Sequence, residues 1–133
     1  MKVIALLAEQ VMHEPITGRT TLVRLIDRVS TETLPRSYPS LSLYFEIHCE
    51  PEETGRDITI GFRLIDPEGA QIGPNWTEPT QKVPAVTEGR TKLLGEKVFA
   101  NVPFAKFGPH LVRLLANGEC AEQIPLMVAR VVP

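Results

Sequence analysis

Three kinds of side chain in this sequence could do chemistry: imidazole with thiol, clustered carboxylate, and guanidinium. His48 and Cys49 are adjacent, while His13, His110 and Cys120 lie elsewhere. A thiolate nucleophile needs a base beside it and a third group to orient that base. Adjacent residues of a strand point to opposite faces, so His48 and Cys49 cannot address one metal ion together. Neither Cys-x-x-Cys nor His-x-x-x-His spacing occurs. No catalytic residue, metal ligand or cofactor is assigned on this basis. The expected roles are structural, with cysteine as a small core residue and the histidines at the surface.

Carboxylates gather once, at Glu50, Glu52, Glu53 and Asp57. A hard cation wants six or more oxygens, and the alternating Asp-x-Asp spacing that would aim them at one point is missing. A solvated acidic hairpin tip is the expectation. A metal-dependent hydrolase would have to assemble its site from His48, His110 and this turn, with at least three ligands converging.

Arg19, Arg24, Arg28 and Arg36 make the N-terminal third locally basic, and Tyr38 stands beside them. On a single strand Arg24 and Arg28 would share a face with Leu22 and Ile26. Exposed arginine and tyrosine suit a protein contact, and guanidinium groups also hold phosphate bidentately. Asp27 and Glu32 are close enough in sequence to neutralise the patch. Trp76, the one tryptophan, sits between Pro74 and Pro79, where it either caps the end of the fold or anchors a partner. No P-loop, dinucleotide-binding glycine pattern, nucleophile elbow or zincin helix is present.

These side chains must be carried by short elements. Twelve prolines and nine glycines in 133 residues exclude long helices. The length suits one domain over residues 1–133, able to bury a core without staples. Fourteen basic against sixteen acidic residues give a net charge of −2, which lacks the basic excess of a nucleic-acid binder. The opening run Lys2–Val11 is too short, and too soon interrupted by Glu9, for a signal peptide. Nothing approaches the roughly 18 apolar residues that span a bilayer. A cytoplasmic protein with reduced thiols is expected.

About eight strands are read between the turns. Lys2–Val11 is the first. Arg19–Val29 fits both helical spacing and alternation, and its paired threonines and β-branched residues favour strand. Leu34–Pro39, with two prolines, reads as a crossing loop. Leu41, Leu43, Phe45 and Ile47 alternate onto one face, as do Ile58, Ile60, Phe62 and Leu64. Asp66-Pro-Glu-Gly69 matches a type I turn. Any strand between Gly73 and Arg90 is short and at an edge. Thr91–Phe99 follows, and a last hairpin sets Leu111–Leu115 against Glu122–Val132 around Asn117-Gly118. Pro125 requires an edge or a bulge in that final strand. Short connections favour antiparallel pairing, so the fold class expected is all-β, an antiparallel two-layer sandwich, immunoglobulin-like in the broad sense.

The order of these signals resembles the small stand-alone bacterial proteins grouped as domain of unknown function 6941. The likeness runs through Leu6-Leu-Ala-Glu9, Gly18 with Leu22–Arg28, Pro39–Leu43, Leu64–Gly69, Phe104 with Phe107-Gly108, and Asn117-Gly118 before Ile124-Pro-Leu126. It implies a β-sandwich and carries no catalytic residue. The function expected is a non-enzymatic protein-binding or assembly module, meeting a protein partner or itself through a sheet edge near the first or last strand. A sensor of small ligands or anions on Arg24, Arg28 and Arg36 is the alternative, with Tyr38 and Trp76 as further contact candidates. Membrane and nucleic-acid partners are not expected.

Overall fold

A computed structural model describes residues 1–85 and 91–131. Its strands are β1 (Lys2–His13), β2 (Thr20–Leu25), β3 (Arg28–Thr31), β4 (Arg36–Cys49), β5 (Asp57–Ile58), β6 (Ile60–Ile65), β7 (Gln71–Thr77), β8 (Gln81–Lys82), β9 (Thr91–Phe104), β10 (Gly108–Ala116) and β11 (Glu119–Arg130). A 3₁₀ turn at Pro51–Glu53 is the only helical piece among the described residues, and none of their helices is long and apolar enough to cross a membrane. Gly89 and Val132 lie outside the described residues.

Two sheets carry the fold, one ordered β2-β1-β4-β9 and the other β3-β11-β10-β6-β7, with a small β5–β8 pair beside them. The alternation read from the sequence is the one the structure uses. Leu41, Leu43, Phe45 and Ile47 on β4 are buried, and so are Ile58, Ile60, Phe62 and Leu64. The Phe62 ring meets Phe45 and Phe99 of the opposite sheet at centroid distances of 5.6 and 6.2 Å. The two layers therefore share one core, in which each large apolar side chain contributes about 1.5–3 kcal/mol.

Turn chemistry fixes the hairpins. Asp66 Oδ1 accepts from the N–H groups of Glu68 and Ala70 at 2.8 and 2.9 Å, and Gly69 takes the left-handed φ of +85° the turn requires. Asn117 and Gly118 are both left-handed, as a type I′ hairpin demands.

Arg19–Val29 is not one strand. The chain breaks at Ile26-Asp27 to change sheets, so Arg24 and Arg28 belong to different layers. The crossing is strapped on both sides: Ile26 N–H donates to Leu7 O and Met127 N–H to Asp27 O, each at 2.9 Å. Beyond it β3 runs parallel to β11, so the five-stranded sheet is mixed rather than antiparallel. Leu34–Pro39 is likewise not all loop, because β4 begins at Arg36. Pro39 is tolerated there because the β4–β9 ladder skips it, opposite Asn101 with φ +52°, and because β1 pairs with β4 only as far as Ser42.

Strand β1 serves two partners in succession, β4 through Lys2–Ala8 and β2 through Ala8–His13. His13 Nε2 lies 3.9 Å from Glu96 Oε1 on β9, yet Glu96 belongs to the row of Leu6 and Tyr44. Seven residues of straight strand would separate His13 from that row by about 23 Å. The strand therefore bends after Ala8 and carries the β1–β2 hairpin across the outer face of β4 and β9. This accounts for the burial of Ala8, Val11, Ser42 and Tyr44, none of which belongs to the core between the sheets.

Candidate functional site

Strand edges are where this fold offers bare backbone donors and acceptors, and most of them are blunted. Edge strands β2 and β3 are short, at six and four residues. Edge strand β7 contains Pro74, which cannot donate to an incoming strand.

The first and last strands each have a half-open side, since β2 joins β1 only from Ala8 and β3 joins β11 only from Met127. Between them lies a groove of about 620 Å³ lined by Leu6, Leu7, Leu25, Ile26, Pro125 and Met127, among others. On the β11 side, from Gln123 to Met127, the backbone donors facing it are occupied or absent. Pro125 has none, Gln123 N–H is held by Glu122 Oε1 at 2.9 Å, and Met127 N–H is held by Asp27 O. The β11 side of this groove is guarded against strand addition.

Strand β9 differs. It spans fourteen residues at the edge of its sheet, pairs with β4 along its length, and meets no described strand on its other side. Its outer face presents Lys92, Leu94, Glu96 and Val98 in alternation, with Leu94 53% and Val98 48% exposed. Its inner face borders a cleft of about 500 Å³ floored by Phe45 and Ile60 and walled by Glu78–Gln81. Gly95 makes room for the ring that floors it, because a β-carbon there would lie 2.5 Å from Phe45 Cζ. Lys92 Nζ and Glu46 Oε1 are 3.7 Å apart, and Lys92 remains more than half exposed.

The residues singled out in the sequence do not converge. Arg24 lies on β2 with Glu9 Oε1 at 3.6 Å; Arg28 opens β3; Arg36 opens β4 and donates to Thr31 Oγ1 at 3.3 Å. Tyr38 is half-buried against Phe104. Trp76 is also half-buried on β7, edge-on to Phe99 at 5.1 Å and beneath the Lys97 ammonium at 5.5 Å. His48 and His110 sit in different sheets, and no group of three metal-ligating side chains forms among the described residues. His110 is not at the surface: it is 2% exposed, its Nδ1 lies 3.0 Å from Gly108 O, and its ring meets Phe104 edge-on. Cys49 is buried and Cys120 exposed. Burial, reinforced by Glu53, pushes the Cys49 thiol up, away from the thiolate a nucleophile needs.

Sequence reasoning found β9 as a strand but missed its open edge. The signal available was the charge pair Lys92 and Glu96 flanking Leu94, with no proline before Pro103.

Fold and site together define an all-β protein in which the long strand β9 meets no described strand on its outer side. The chain belongs to the family of unknown function DUF6941, whose family model matches residues 3–129. No curated protein matches it. Among solved structures it is similar to the Pseudomonas fluorescens alkylpurine DNA glycosylase AlkC bound to DNA containing an abasic site analog, at 11% identity and a TM-score of 0.50 over 77% of this chain. The chain spans 27% of that glycosylase, and the likeness is one of fold alone.

Proposed function

We propose that this protein is a non-enzymatic assembly module that meets a protein partner by strand addition at β9. One observation carries the reading. A fourteen-residue edge strand bears half-exposed Leu94 and Val98, while edge strands β2 and β3 are short and β7 is broken by Pro74. Natural sheets suppress such edges unless the edge is used. An anion sensor would need Arg24, Arg28 and Arg36 to face one point, and they open or occupy three different strands.

The reading extends to the fold type, which we take as immunoglobulin-like. Its support is the strand order, with β1-β4-β9 facing β11-β10-β6-β7 and β3 crossing over to join the last strand.

The test is a double variant, Leu94→Lys with Val98→Lys, which places two lysines on the edge. Both positions are half exposed, so stability should stay within about 0.5 kcal/mol of the parent. Association measured by sedimentation and by affinity capture should be lost. Association unchanged in the folded variant would refute the reading.

A further inference from the structure

We infer that β9 pairs with β9 of a second copy of this chain, antiparallel about a two-fold axis at Leu94, joining two four-stranded sheets into one of eight. The inference rests on the assembly reading above and names its partner.

Two-fold pairing that keeps the outer face continuous must centre on a residue, and that residue defines the register. Centring on Lys92, Glu96 or Lys97 sets like charges directly opposite each other, which is unfavourable. Centring on Gly95 sets Lys92 against Val98, Leu93 against Lys97 and Leu94 against Glu96, leaving every charge facing an apolar or bare position. Centring on Leu94 resolves all of these at once. Lys92 faces Glu96 of the second copy, and symmetry repeats that pair. Leu94 faces Leu94. Leu93 of each copy faces Gly95 of the other, beside the Phe45 ring that fills the space a β-carbon would take. That leucine enters the cleft between Gly95 and Glu78–Gln81. Both charges are available, with Lys92 56% and Glu96 34% exposed at the side chain. Inside one chain their partners are distant contacts, Glu46 at 3.7 Å and His13 at 3.9 Å.

The register predicts a cross-link. Directly opposed residues of an antiparallel pair lie about 4.5 or 5.5 Å apart at Cα, within disulfide reach. In a Cys120→Ser background, Leu94→Cys should form a covalent dimer on mild oxidation. Val98→Cys should not, because its two copies lie about 27 Å apart along the pair. Charge reversal gives an independent readout. Lys92→Glu alone and Glu96→Lys alone each set like charges opposite, and should weaken self-association at least about tenfold. Mixing the two variants in equal amounts restores opposite charges at both pairs, and dimers should return.

A parent chain monomeric at all concentrations, a Val98→Cys cross-link as ready as that of Leu94→Cys, or a mixture that stays monomeric would each overturn the proposal. A strict monomer that still loses a different protein partner on Leu94→Lys with Val98→Lys would overturn self-pairing and leave the edge as the contact surface. Association indifferent to that double variant would overturn both.

Discussion

Gly95 on β9 and Phe45 on β4 face each other so closely that a β-carbon on the glycine would meet the ring at 2.5 Å. The ring is 6% exposed and backed by Phe62 of the opposite sheet. Gly95→Ala should therefore destabilise the fold by about 1–3 kcal/mol, the usual cost of overpacking. Adding Phe45→Leu should recover part of that loss. A urea titration in which Gly95→Ala matches or exceeds the parent would show that the strand can shift.

Phe62 is fully buried where the two sheets meet. Truncation to alanine leaves a ring-sized void among Phe45, Phe99 and their neighbours, and should cost about 3–5 kcal/mol. A measured loss below about 1 kcal/mol would mean that the register assigned to β6 is wrong.

The core faces of β4 and β6 were legible because period-two alternation survives in each, from Leu41 to Ile47 and from Ile60 to Leu64. The turns were legible because Asp66-Pro-Glu-Gly69 and Asn117-Gly118 are fixed by local backbone geometry. The sheet change at Ile26-Asp27 was not, since Arg19–Val29 reads as one continuous amphipathic run and only the distant residues Leu7 and Met127 break it. His110 escaped for a different reason. Its place in the core is set by alternation with Val112 and Leu114, which outweighs the polarity of its ring. The bare edge of β9 is a property of sheet order, and sheet order is decided by contacts far apart in the chain.

Burial and then the neighbouring Glu46 carboxylate push the Tyr44 hydroxyl above its ordinary range. The β1–β2 hairpin supplies much of that burial by lying across the outer face. Val11→Asp, which places a charge beneath the hairpin, should lift it away. In a Tyr38→Phe background, the phenol absorbance titration should then move down toward about 10. An unmoved titration would mean that the hairpin does not shelter Tyr44.

Asp66 is held below the usual carboxylate range, chiefly by the Ala70 N–H, with Lys106 and the Glu68 N–H adding to it. Its folded value is lower than its unfolded one. The stabilisation is therefore complete above the ordinary aspartate value near about 4 and is lost as pH falls through the depressed one. Asp66→Asn removes this dependence. Melting temperatures of parent and variant should differ most at neutral pH and converge as acid is added. A gap that widens in acid would contradict the assignment.

Ninety-nine residues separate Arg28 from its partner Met127 in the parallel β3–β11 pair. On a ribosome adding about 5–20 residues per second, β3 waits roughly 5–20 s for the strand that completes its sheet. Throughout that interval Val29 and the core it will cover stand open to solvent. The nascent chain can form the β1–β4 pair early, but the second layer closes only when β11 emerges, making Glu119–Arg130 the gate to the native state.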